Sequence, residues 1–304
     1  MLRQIYFYIG FVIGSLLSFN VLAGSGIAVV YPSVPSPFNE IFKEIISGVE
    51  EAYQGEVQTL ELAKKDNPEK AVEWINTANP AAVIALASQG YRVAKVINGT
   101  RPVLVSALPI SPTGLSGISL VPAPSQLFSA LEELAPSVKS INVVYSHRSE
   151  WIIPLAQAEA SRRGYQLNAV KIGTVKEALE AYNKMLSTFD IIREALWIPL
   201  DPISGNEQVI VPNLLERSWE QNLILFSSKP AHVKRGALFS LFPNHIKLGK
   251  SLVTMLQEEQ NLIDNPIIKP MTDTELAVNL RTAAHLGFEY KNQQKSQFYL
   301  TFPE

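Results

Sequence analysis

The chain has 304 residues, 47% apolar and 18% charged, with a formal net charge of −2. It contains no cysteine, which excludes disulfides, iron–sulfur clusters and thiol chemistry, and it lacks the basic excess of a nucleic-acid binder. The length suits about two domains whose cores need no covalent staple.

Residues 1–23 read as a secretory signal peptide. Arg3 is the only charge before Glu40, Ile5–Leu17 is uncharged and mostly apolar, and Val21-Leu22-Ala23 offers a cleavage site. The apolar stretch is short for a membrane span of roughly 20 residues. Leu22-Ala23-Gly24-Ser25 is similar to a bacterial lipoprotein signal with serine in place of the lipidated cysteine. The expected product is a soluble, unlipidated chain from Gly24 onward. A long exported chain without cysteine suits a Gram-negative periplasm.

Beyond residue 24, strands and helices alternate. Gly26–Tyr31 is a short apolar run and predicts a buried strand. Ser36-Pro37 offers a cap and a first-turn proline for a helix with Phe38, Ile41, Phe42, Ile45, Ile46 and Val49 on one face. Val57–Leu62 is a second strand, and Asn67-Pro68 opens a helix through Ala78. Ala81–Ala87 and Pro102–Leu108 are strands around a short helix, Tyr91–Ile97. Residues 109–124 hold four prolines and two glycines around a short strand, Leu115–Val121, and mark a boundary.

The rhythm then resumes. Strands are expected at Ile141–Tyr145, Leu167–Ile172, Ala195–Leu200 and Leu223–Ser227. Trp151–Arg163 is a helix closed by Gly164, and Thr174-Val-Lys-Glu177 is a capping box opening another. Ala237–Phe242 is a second crossover and Asn244–Gln260 a long helix. Ile267–Met271 and Glu275–Leu280 are late strands, Arg281–Gly287 is a short helix, and 291–304 has no assigned role. Repeated strand–helix units mean parallel sheets covered on both faces. The expected fold is α/β, with two doubly wound parallel-sheet lobes joined by a hinge. Lobe 1 takes residues 24–121 and 241–263, and lobe 2 takes 122–240 and 264–304.

Few motifs carry chemistry. The four histidines, at 147, 232, 245 and 285, make no helical zinc pair, so neither metal nor cofactor is expected. Gly249-Lys250-Ser251 ends like a phosphate-binding loop, but Asn244 stands where the first glycine belongs and the residues fall inside an amphipathic helix. His147, Arg148 and Glu150 follow a strand end, where they can serve as acid, base or clamp, or simply as a solvated loop. Asp201 follows another strand end, as a turn residue or a carboxylate facing a cleft.

Ligands of open parallel sheets bind outside the carboxyl ends of the strands. With two lobes face to face, those ends share a cleft. Its expected polar contacts are Ser88, Gln89, Ser146 and Asp201, and its stacking residues are Tyr31 and Trp151. Loops holding serine, glutamine and aromatics, with few charges, favour a small neutral or aromatic ligand.

The second half carries a resemblance. Arg235-Gly236-Ala237-Leu238, Leu248-Gly249-Lys250 and Val278-Asn279-Leu280-Arg281-Thr282-Ala283-Ala284 with Leu286-Gly287 resemble the substrate-binding family of ABC transporters with the type I periplasmic-binding fold. Leu134–Lys139 and Gly114–Ser119 agree with segments of that family, whose better-known members bind tryptophan or tyrosine. The resemblance implies a non-enzymatic, monomeric binding protein that closes on its ligand and presents it to a membrane permease. Where the family holds an amino-acid ammonium with an aspartate after the fourth strand, this chain reads Ser106-Ala107-Leu108-Pro109-Ile110. Two further readings keep the fold. In one the chain presents its ligand to a sensor receptor kinase, and in the other it is an interaction protein with a degenerate cleft. An exported α/β enzyme using His147 and Asp201 is the remaining alternative.

Overall fold

The computed structural model describes residues 26–63, 67–259 and 261–303, so the expected export signal lies outside the described residues. The chain begins with β1 (Ile27–Pro32), α1 (Phe38–Ala52), β2 (Val57–Leu62), α2 (Pro68–Ala78), β3 (Ala82–Leu86), α3 (Ala87–Ile97), β4 (Val103–Ser106) and β5 (Ser116–Pro122). It then crosses into α4 (Pro124–Leu134), β6 (Ser140–Tyr145), α5 (Ile153–Arg163), β7 (Gln166–Lys171), α6 (Val175–Leu186), β8 (Glu194–Ile198), α7 (Ile210–Glu220), β9 (Ile224–Ser227), α8 (Ala231–Lys234) and β10 (Phe239–Pro243). The remainder is α9 (His245–Glu258), β11 (Ile268–Met271), β12 (Thr274–Asn279), α10 (Leu280–His285), α11 (Asn292–Lys295) and β13 (Phe298–Phe302).

Among the described residues the first lobe is a six-stranded parallel sheet, ordered β11-β5-β4-β3-β1-β2. The second is a four-stranded parallel sheet, ordered β7-β6-β8-β9. Both follow one winding, in which the first strand lies between the second and the third. Each lobe therefore has a switch point, between β1 and β3 and between β6 and β8, where the connections depart to opposite faces and leave a crevice. Alternation along β1 supplies both faces of its sheet. Ile27 and Val29 join the core under α1 and α9, while Ala28 and Val30 join the core under α2 and α3. In the second lobe the rings of Trp197, Phe226 and Phe239 stack in series, with Phe128 edge-on to Trp197.

Local signals worked where they were chemical. Gly164 closes α5 in the left-handed conformation at φ 74°. The Thr174 side chain accepts from Glu177 N, while the Glu177 carboxylate accepts from Gly173 N at 2.7 Å. Helix α1 instead starts at Phe38, with Pro37 as its cap residue and no side-chain cap.

The late segments differ from the expected division. β11 pairs with β5, Ile268 opposite Gly117, and so extends the first lobe's sheet. β10 pairs antiparallel with β12, and β12 pairs parallel with β13, in a three-stranded sheet on the second lobe's core. The tail thus closes the second lobe.

Three connections run between the lobes, β5 to α4, β10 to α9 and β11 to β12, and they are bonded to one another. Ala123 N donates to Met271 O at 2.8 Å, and Asn244 N donates to Asp273 O at 2.9 Å. Asn244 also donates from its side chain to Glu275 and caps α9 by accepting from Lys247 N.

Candidate functional site

A cavity of about 460 Å³ lies between the lobes at the carboxyl ends of β4, β6, β8 and β9. Ile110, Val121, Trp151, Pro199, Leu200 and Pro202 give it apolar walls. Arg148, Asp201, Glu207, Lys229 and His232 give it charged or titratable groups. Trp151, in a short 3-10 turn at Glu150–Ile152, packs against the cores of both lobes.

Asp201 sits across the second lobe's switch point from Ser146. One of its oxygens, Oδ2, accepts from Ser146 N at 2.9 Å, Ser146 Oγ at 2.7 Å and Ser149 Oγ at 2.5 Å. The other, Oδ1, accepts from Ile203 N at 2.8 Å and Ser204 N at 3.0 Å. Burial alone would raise its pKa, but the bonds from Ser149, Ser146 and Ser204 outweigh burial and hold it below the ordinary carboxylate value. The turn that presents Asp201 is tight, since a Cβ on Gly205 would lie 2.8 Å from the Asp201 carbonyl oxygen. Asp201 and Ser146 therefore organise two loops and spend their polar atoms on each other.

The remaining expected contacts separate. Tyr31 is half-buried at the end of β1, where its ring stacks on Phe42 at 6.1 Å between centroids, and it does not line the cavity. Ser88 is exposed. Gln89 turns away from the cleft, toward Leu62, Asn67 and Arg92. The cause is Ala87, whose left-handed backbone (φ 57°) lets α3 begin directly at the strand end, four residues before the expected Tyr91. The loop expected to carry Ser88 and Gln89 is thus a first helical turn. Of the six expected residues, the structure brings Trp151 and Asp201 to the cavity wall, with Ser146 behind Asp201.

Sequence reading missed a second cluster on the cavity lining. Glu207 Oε1 lies 2.6 Å from Lys229 Nζ and 2.8 Å from His232 Nε2, and Oε2 lies 2.7 Å from Arg235. Burial pushes Glu207 up, yet the bonds from Lys229, His232 and Arg235 bring it down to about 2. His232 is buried, and desolvation outweighs Glu207 to hold its pKa below the ordinary 6.5. Its Nε2–H must face the carboxylate, so Nδ1 accepts from Ser227 Oγ at 2.8 Å. Although Ser227, His232 and Glu207 stand in line, Ser227 is fully buried and accepts from Lys229 N, which gives a nucleophile's substrate no approach. His147 is exposed and Glu150 pairs with Lys171 at 2.6 Å, so the strand-end trio contributes only Arg148 to the cavity. Among the described residues no group of three or more His, Asp or Glu could hold a metal. The signal for Glu207 was faint in sequence, because its partners lie 22 to 28 residues away.

No protein-family model and no curated protein sequence matches the chain. Solved structures do. CD0873 of Clostridium difficile, described as a substrate-binding protein with adhesive properties in a ligand-free, open structure, aligns at 18% identity and a TM-score of 0.61. That alignment covers 91% of this chain and 98% of the other. An ABC domain from Streptococcus pneumonia in complex with L-Trp aligns at 18% identity and a TM-score of 0.53, covering 91% and 100%. A conserved domain protein from Vibrio cholerae aligns at 17% identity and a TM-score of 0.53, covering 91% and 99%. At these identities the likeness shows the fold, which is the two-lobed type I periplasmic-binding fold.

Proposed function

We propose that this chain is an exported solute-binding protein that captures a small molecule between its lobes and presents the closed form to a membrane permease of the ABC type. The observation that carries this reading is the cavity itself. Its volume of about 460 Å³ falls within the roughly 300–1,000 Å³ of small-molecule sites, and it is walled by strand-end loops of both lobes. Such a site couples ligand to shape, because a ligand that touches both lobes favours whichever arrangement brings them together. The solved relatives add a substrate-binding protein and an L-Trp complex on the same fold.

A thermal-shift screen of amino acids, purines, vitamins, sugars and organic acids tests it. Ligand at about 100 times its Kd adds roughly 2.7 kcal/mol, and a chain of this size gains about 2–4 °C per kcal/mol. A midpoint raised by several degrees with one solute class is the expected result. A flat response from protein first unfolded and refolded, to strip carried-over ligand, would overturn the reading.

A further inference from the structure

The charges around the cavity name the class of solute, on the premise that the cavity is a solute site. Both of its acids are already engaged. Asp201 accepts five hydrogen bonds from within the second lobe, against about four lone-pair sites on a carboxylate. Glu207 is engaged by Lys229, His232 and Arg235. Arg148 differs from the other charged groups. It lines the cavity, its backbone N–H bonds to Ser146 Oγ, and its guanidinium has no ion pair among the described residues. Of the charged side chains that line the cavity, Arg148 and Lys229 match Asp201 and Glu207 in number, and of the two cations only Arg148 has no carboxylate partner among the described residues. An incoming ammonium would meet the unpaired Arg148 and no free carboxylate, and an ammonium buried without a partner is strongly disfavoured. An incoming carboxylate would meet a planar guanidinium suited to bidentate binding. Beside it lie the Trp151 ring and the apolar Ile110 and Pro199.

We propose that the cleft takes a small organic carboxylate with a flat or apolar body and no free ammonium group. Its head sits on Arg148 and its body against Trp151.

Titration calorimetry on sets of compounds that share one body tests this. One set is indole-3-acetate, tryptophan and indole-3-ethanol. Another is 3-phenylpropanoate, phenylalanine and 3-phenylpropanol, and hexanoate with hexanol adds an aliphatic pair. The expected result is that acids bind at least tenfold tighter than the amino acid or alcohol of the same body. Arg148→Gln should weaken the acids at least tenfold while the unfolding midpoint of ligand-free protein stays in place, and Arg148→Lys should restore part of the loss. If an amino acid, an alcohol or a sugar binds as well as any acid, or if Arg148→Gln leaves acid binding intact, the carboxylate assignment is overturned and the solute-binding reading stands. If neither these sets nor the broader screen yields any binding, the solute-binding reading falls, and the assignment with it.

Discussion

Five hydrogen bonds converge on the Asp201 carboxylate, and they tie together two loops that leave neighbouring strands. Removing the acceptor would leave buried donors on Ser146, Ser149 and Ser204 without partners, each at a cost of about 1–3 kcal/mol. Asp201→Ala should therefore lower unfolding free energy by about 3 kcal/mol or more in urea titration; an unchanged urea midpoint would mean that the carboxylate is free for ligand instead. The residue scale also sets a pH dependence. His232 has a folded pKa below its unfolded value of 6.5, so the unfolded chain binds the proton first. Stability from this group is complete above about pH 6.5 and is lost as pH falls toward the depressed folded value. Glu207 and Asp201 are also depressed, but from ordinary values of 4.5 and 3.8, so their contributions fade only under more acid conditions. Between pH 6.5 and 4.5 the midpoint should fall with a slope that His232→Gln flattens. Equal slopes in the two proteins would sink this account, which involves Ser227, Lys229, Arg235 and Glu207 as the groups facing the ring.

Helices α1 and α9 cross at close range. A Cβ added at Gly48 would lie 2.0 Å from the Ile246 carbonyl oxygen, and one added at Gly249 would lie 2.1 Å from that of Ile45. The phosphate-loop likeness of Gly249-Lys250-Ser251 thus has a packing explanation, and Lys250 pairs with Glu51 at 2.7 Å. Gly249→Ala should cost about 1–3 kcal/mol through overpacking, visible as a lower thermal midpoint, while Ser251→Ala nearby should cost far less. Elements with strong periodicity or chemical caps, such as α6 behind Thr174 and α5 before Gly164, were legible in the sequence. Two kinds of feature were not. The start of α3 depends on a left-handed alanine, a residue with no intrinsic preference for that conformation. β13 follows a polar stretch and gains its place only by pairing with β12, a tertiary choice that Phe298–Phe302 does not announce. Those failures account for the site. Gln89 was misplaced with α3, and Glu207 was invisible because tertiary folding alone gathers its three partners.

At the scale of the molecule, the two lobes repeat one winding and face each other across their strand ends, so the proposed function makes closure the motion to test. Because the chain has no cysteine, introduced thiols would be unique label sites. Ser88→Cys on the first lobe and His147→Cys on the second are both exposed. Spin labels on this pair should move closer when a ligand from the screen is added, and an unchanged distance distribution with ligand bound would rule out closure. The three connections between the lobes are joined side by side through Ala123, Met271, Asp273 and Asn244. Strips tied edge to edge form a flexure, soft about the line that crosses all of them and stiff in torsion. If the proposed closure holds, the lobes should move with a single degree of freedom, and every ligand, large or small, should stop them somewhere along the same arc. Two label pairs placed at different radii from that line should report proportional displacements across any series of ligands, so that one angle describes the whole shape.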